Sequence, residues 1–335
     1  MPRILIVAPS WIGDTLLAQP LLARLHAKHA GLVLEALAPA WTKPVLERMP
    51  EIAATIVSPF AHGELRLAER WRLGRSLAAR GYDEAIVLPN TFKSALVPFF
   101  ARIPVRTGFV GEARGVLLNR VHRLDRRGLP LMAERYAQLA EAPGEPVHRP
   151  LAPARLAVNA ANRDAALAHF GLDRSRPVAV FAPGAEYGPA KRWPARHFAA
   201  LARLLAARGF AVWLVGSPKE RALGEEIAAA ADGAARNLCG AMDLASAIDV
   251  LSVASVAVTN DSGLMHIAAA LGLPLVALYG SSSPEHTPPL GPARIARIAI
   301  PCSPCFKREC PLGHFRCMND LAPEQVLAEV ERALP

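Results

Sequence analysis

Three turns in this 335-residue chain carry residue types suited to holding a phosphate. The first is Asp261-Ser262-Gly263-Leu264-Met265-His266, which follows the apolar run Val256-Ala257-Val258. It reads as a buried strand, a polar turn and a helix beginning at Ser262, with Asp261 or Ser262 available as the cap. Gly263 removes side-chain bulk at the first turn, where unpaired N–H groups and the positive end of the helix dipole favour an anion. His266 lies about one helical turn past Ser262, on the same face. It faces the same ligand or packs as a structural histidine.

The second turn is Pro183-Gly184-Ala185-Glu186-Tyr187-Gly188-Pro189-Ala190-Lys191-Arg192-Trp193-Pro194. Its glycines allow close backbone approach, and Lys191 supplies a compact charge for phosphate. No Gly-Lys-Ser/Thr closes it, so it is not a Walker loop. The third is Gly216-Ser217-Pro218-Lys219-Glu220, in which Glu220 is placed to accept from ribose hydroxyls. Together the turns describe a pocket for a nucleotide carrying a diphosphate. No Gly-x-Gly-x-x-Gly follows a strand, which argues against a nicotinamide or flavin enzyme. No Asp-x-Asp occurs, which disfavours Mg²⁺ held between two carboxylates and a diphosphate. Lys191 and the Ser262 helix terminus must then stabilise a leaving phosphate.

Asp14 closes the turn Pro9-Ser10-Trp11-Ile12-Gly13 after the first apolar strand. It caps a helix starting at Thr15, or it is a carboxylate able to take a proton from a hydroxyl nucleophile. Arg66, Arg70, Lys93 and Arg120 are basic candidates for an anionic acceptor, each otherwise a solvated charge.

The elements that position these residues alternate. Strands at 3–8, 32–37, 53–57, 84–88 and 105–110 are interleaved with helices at 15–29, 43–49, 64–80 and 92–102. Pro143, Pro146, Pro150 and Pro153 mark a break. After a helix at 160–170, strands at 178–182, 210–215, 236–239, 255–258 and 274–279 alternate with helices at 195–208, 218–231, 244–252 and 262–271. Such alternation predicts α/β architecture: two Rossmann-like parallel-sheet domains facing a cleft, with ligands at the strands' carboxyl ends. The expected division is 1–155 for the acceptor and 156–320 for the donor. A terminal helix in 321–335 is expected to pack back on the first domain.

Charge is uneven. Residues 1–150 hold 20 Lys/Arg against 13 Asp/Glu, and 151–335 hold 18 against 16, within a total of +9. The first half therefore suits an anionic partner. No zinc-finger spacing or aromatic–basic interleaving points to nucleic acid, and an acidic glycolipid or anionic membrane leaflet fits equally well. No run approaches the roughly 20 apolar residues of a spanning helix, and Pro9, Gly13, Asp14 and Pro20 interrupt any signal-peptide pattern. A cytoplasmic protein is the expectation.

The Trp-Ile-Gly-Asp turn at 11–14, the Pro-Gly-Ala-Glu-Tyr-Gly-Pro-Ala-Lys-Arg-Trp-Pro turn at 183–194 and Thr-Asn-Asp-Ser-Gly-Leu-Met-His-Ile-Ala at 259–268 resemble the lipopolysaccharide heptosyltransferases. The resemblance covers nearly the whole chain. It implies a GT-B fold and metal-independent, inverting transfer of L-glycero-D-manno-heptose from ADP-heptose. The implied acceptor is the first heptose of the inner core on Kdo2-lipid A, met at the cytoplasmic face of the inner membrane. By the same resemblance Asp14 is the general base, Gly184, Tyr187, Lys191, Glu220, Asp261, Ser262, Gly263 and His266 hold the donor, and Met242 lies near the adenine.

Cys302, Cys305, Cys310 and Cys317, with His314 nearby, are spaced like a compact zinc knuckle or a redox-sensitive cluster. A structural zinc there would not be catalytic. Two rivals remain: a glycosyltransferase using another sugar nucleotide, and a non-enzymatic two-domain binding protein, which would need Asp14 only as a cap.

Overall fold

The computed structural model describes residues 1–61 and 63–335. The chain divides into two compact units, Met1–Ala154 and Arg155–Pro335. Among the described residues, each unit is built on a six-stranded sheet in which every pairing is parallel.

In the first unit the strands are β1 (Arg3–Val7), β2 (Val33–Pro39), β3 (Ala54–Ser58), β4 (Glu84–Val87), β5 (Val105–Phe109) and β6 (Arg120–His122), in the order β3-β2-β1-β4-β5-β6. The second unit repeats the plan. β7 (Val178–Ala182), β8 (Ala211–Leu214), β9 (Ala235–Asn237), β10 (Val256–Asn260), β11 (Leu275–Leu278) and β12 (Arg294–Ala296) run in the order β12-β11-β10-β7-β8-β9. The order reverses between β1 and β4 and between β7 and β10. A crevice opens at the carboxyl ends of such a pair, where connections leave in opposite directions.

The central strands are largely apolar because helices cover both faces of the sheet. Every residue of β7 and of β10 is buried. Phe181, Phe198, Leu201 and Trp193 anchor the core of the second unit. Leu5, Val87, Leu96 and Leu77 belong to a core of the first.

Several local expectations change. The helix expected at 15–29 is two helices, Ile12–Leu17 and Gln19–Lys28, meeting at Ala18. Pro20 lacks an N–H and would clash with a preceding turn, so it is tolerated only at the start of a helix. The short strands β6 and β12 and the helix Met132–Gln138 were not expected. Edge strands pair on one side only and need no apolar run, and both of these open with an arginine. The terminal helix, Pro323–Ala333, buries Val326, Leu327 and Val330 in the core of the second unit. Its apolar face therefore completes that unit, not the first as expected. No helix among the described residues is long and apolar enough to cross a membrane.

Candidate functional site

At the carboxyl edge of the second sheet, the turns after β9, β8, β7 and β10 follow one another in that spatial order. Each of the three phosphate-type turns read from the sequence falls in one of them. Lys191 and Asp261, from the β7 and β10 turns, form an ion pair with Nζ 2.5 Å from Oδ2. Both are largely withdrawn from water, with side-chain exposures of 17% and 5%. The Lys191 ammonium also lies 5.1 Å from the centre of the Tyr187 ring, which the Arg308 guanidinium approaches at 5.2 Å.

Asn260 ties the same two turns together. Fully buried at the end of β10, it accepts from the Trp193 backbone N–H at 3.0 Å and donates to the Pro183 carbonyl at 2.6 Å. The helix Gly263–Ala270 then begins with Ser262 at its N-cap position, but no side chain caps it. The Ser262 hydroxyl oxygen is buried without a hydrogen-bond partner. The helix start thus offers N–H groups and a hydroxyl to an incoming anion. His266 is buried one turn along, and that burial lowers its pKa to about 4, with the Lys191 charge pushing the same way and Asp261 opposing. It is a neutral imidazole at physiological pH.

Glu220 has a local structural task. Its Oε2 accepts the Ser217 N–H at 2.6 Å in a capping box. Its carboxylate also fills the space beside Gly184, where any Cβ would stand 1.4 Å from Oε1. With no side chain, Gly184 leaves room for the Glu220 carboxylate where it stands. Met242 is half-buried in the turn after β9, just before Asp243, whose side chain caps the helix Leu244–Leu251. That turn is bonded to the β8 turn by the Gly240 N–H to the Gly216 carbonyl at 2.8 Å.

In the first unit Asp14 follows β1, at the point where the strand order reverses. It lies inside the first turn of the helix Ile12–Leu17, while Trp11 holds the N-cap position. Asp14 therefore does not occupy the N-cap position considered for it. Its half-buried carboxylate acts on the Tyr136 phenol, whose pKa burial holds well above the ordinary value and the Asp14 charge raises further.

The four basic candidates separate. Lys93 lies in the turn after β4, beside the β1 turn. Arg66 precedes the helix Leu67–Leu77 in left-handed conformation (φ 40°) and pairs with Glu69 and Glu64. Arg70 is buried on the Phe60 ring and donates to the carbonyls of Leu65, Glu64 and Lys93 at 2.6, 3.0 and 3.0 Å. It fixes the loops on either side and is not presented to an anion, contrary to expectation. Arg120 opens β6 and pairs with Glu84, which opens β4, at 2.9 Å. Both are at the amino edge of the sheet, so Arg120 is also removed from the site.

The match of a family model for glycosyltransferase family 9 (heptosyltransferase) spans residues 70–316. Lipopolysaccharide heptosyltransferase 2 of Escherichia coli K12 is 44% identical over 342 residues, covering 99% of this chain and 98% of that protein. Lipooligosaccharide heptosyltransferase 2 of Haemophilus influenzae is 42% identical, covering 99% of each. The solved structure of E. coli ADP-heptose LPS heptosyltransferase II superposes with a TM-score of 0.89, at 42% identity over 99% of this chain and 98% of that one.

The chain belongs to glycosyltransferase family 9.

It is therefore an enzyme of the heptosyltransferase family with the GT-B type of α/β fold expected from its motifs. Sequence reading missed several residues at the same edges. Asn260 was visible as a polar residue closing an apolar strand. Ser281 and Ser282, after β11, carry buried hydroxyls without partners, and only their place beyond a strand end could have signalled them. Trp41, after β2, is half-exposed and donates to the Ser10 carbonyl at 2.7 Å. Arg114 is buried and donates to the Phe109 and Pro89 carbonyls and to Asn90 Oδ1, locking the β4 and β5 turns together. Among the described residues, no three His, Cys, Asp or Glu side chains stand together closely enough to hold a metal ion.

Proposed function

We propose that this glycosyltransferase moves L-glycero-D-manno-heptose from ADP-heptose to the first heptose of the lipopolysaccharide inner core, inverting the anomeric carbon. The observation that carries the reading is the Lys191–Asp261 pair beside an uncapped helix N-terminus, in a chain 44% identical to an E. coli lipopolysaccharide heptosyltransferase 2. The diphosphate lies against the Gly263–Ala270 helix start and Lys191, with Tyr187, Gly184 and His266 around it. The adenosine extends towards Glu220 and Met242. Asp14 takes the proton of the acceptor hydroxyl as that oxygen attacks the anomeric carbon, and the C–O bond to the β-phosphate breaks with its electron pair leaving on ADP. One base and no carboxylate nucleophile give a single displacement, hence inversion. Charge grows on the β-phosphate, where Lys191 and backbone N–H groups are already fixed, so turnover needs no metal.

Lys93, Arg66 and the exposed Trp11 and Trp41 are the first unit's contributions to an anionic sugar acceptor. Exposed Leu67, Trp71, Arg72 and Arg75 on one helix suit peripheral contact with the cytoplasmic face of the inner membrane.

Incubating the protein with ADP-heptose and a one-heptose Kdo2-lipid A acceptor should release ADP and add one heptose to the lipid by mass, in excess EDTA as in its absence. Transfer from a different sugar nucleotide only would replace the donor. Consumption of no donor would favour the binding-protein reading, and loss of turnover restored by Mg²⁺ would overturn the metal-free step.

A further inference from the structure

We propose that Cys302, Cys305, Cys310 and Cys317 bind one thiophilic divalent cation, and that this ion staples the 302–317 segment against the turn carrying Lys191. The argument starts from what else could hold the segment. Apart from the single turn Arg316–Asn319 it is loop, and Pro304, Phe306, Lys307, Arg308 and Glu309 are exposed. The four thiols and His314 are instead partly buried. They line one small cavity of ≈ 20 Å³ together with Ala190, Ser281 and Phe315. A space of that size admits about one water-sized body, which fits a single ion. None of these cysteines is in a disulfide. The segment buries little apolar surface of its own, so a cross-link among its thiols would add substantially to the few hydrogen bonds that hold it.

The ligand set is soft, and four thiolates favour zinc or iron over magnesium or calcium. The Phe315 N–H points at Cys310 Sγ at 3.4 Å, the type of bond that orients a thiolate ligand. His314 Nε2 is 4.0 Å from Cys302 Sγ and stands ready as a substitute ligand. The thiols do not converge closely enough to hold the ion without moving, so binding draws them inward by changing their rotamers on a backbone that already surrounds the cavity.

The segment reaches the Lys191 turn through three contacts. The Ala190 N–H donates to the Arg308 carbonyl at 3.0 Å, the Tyr187 hydroxyl donates to the Phe306 carbonyl at 3.0 Å, and the Arg308 guanidinium covers the Tyr187 ring. Gly188 admits this approach because a Cβ there would lie 2.4 Å from the Arg308 carbonyl. Releasing the ion should free that turn, an effect that rests on the donor reading above.

The test uses full-length protein purified under reducing conditions without chelator. Elemental analysis should find one equivalent of zinc or iron per chain. In chelator-treated protein the four thiols should react with a thiol reagent, and Zn²⁺ should protect them. Cys310→Ser with Cys317→Ser should lose the ion and Cys239→Ala keep it; if the double variant does not fold, the wild-type metal content and thiol protection still decide. Removing the ion should weaken ADP binding by about tenfold or more. No bound metal with thiols that Zn²⁺ fails to protect, or cysteines recovered as disulfides, would overturn the site. A bound ion whose removal leaves ADP affinity unchanged would overturn the staple. Failure of the metal-loaded protein to bind ADP would count against the donor reading alone.

Discussion

At the carboxyl edge of the second sheet the charged and amide side chains are bonded in place: Lys191 to Asp261, Asn260 to both ends of the β7 turn, Glu220 to Ser217. At the same edge of the first sheet, with the same strand order, the buried polar groups hold loops while aromatic and basic side chains stand in solvent. Arg70 and Arg114 are committed to carbonyls, whereas Trp11 and Trp41 are exposed. The difference matches what each edge is proposed to meet. A diphosphate is small and always the same, so fixed charges lower the cost of reorganisation during reaction. A large amphiphilic acceptor needs an open surface with adaptable contacts.

The largest expected effect is on the first edge. Asp14→Asn should lower turnover by roughly 10²-fold or more while ADP binding changes little, because only the proton acceptor is lost. Near-normal turnover would remove the chemistry from that edge. Next is Lys191→Ala, expected to cost about 2–4 kcal/mol in kcat/KM for the donor. It also leaves Asp261 as an uncompensated buried charge, so thermal stability should fall as well. Lys191→Arg should recover only part, since a planar fork does not reproduce a compact ammonium. A defect confined to acceptor kinetics would reverse the assignment of the two edges.

His266 makes the second edge sensitive to acid. Its folded pKa, about 4, lies below the model-peptide value of 6.5, so the unfolded chain binds more protons between those two pH values. Stability therefore rises with pH through that window and is lost as pH falls from about 6.5 towards 4, by roughly 3 kcal/mol for this group. Urea midpoints for wild type and His266→Gln should converge as the pH is lowered. Parallel curves would show that His266 is not what titrates.

Asn260→Ala should cost on the order of 1–3 kcal/mol of stability, because a buried N–H and a buried carbonyl lose their partner. Donor KM should rise with it if Asn260 holds the two turns together. The smallest effect belongs to Lys93→Ala, a severalfold rise in acceptor KM with unchanged melting. Arg70→Ala should instead lower melting first, since its guanidinium joins three carbonyls.

The parallel sheets and the second edge were legible because each rests on local signals: apolar runs, glycine turns, a polar residue ending a strand. Three of its turns were read in the sequence, and sheet order alone brings them into one row. The first edge was harder. An exposed and a buried arginine look alike in a sequence, so Arg66, Arg70 and Arg120 could be separated only by seeing that Arg70 lies on Phe60 and Arg120 at the opposite edge. Asp14 looked like a cap because Thr15 opens the clearest apolar periodicity. The helix begins three residues earlier, with Trp11 at the cap position. Ser262 shows the reverse: its type suited a cap, but its hydroxyl makes no such bond.

Hydrogen exchange of the full chain with and without ADP tests most directly which edge holds the donor. Protection on adding ADP should appear in the turns at 183–191, 216–220, 240–243 and 261–266 and leave the turns at 9–14 and 88–93 as they were. Protection confined to the 9–14 and 88–93 turns would contradict the account.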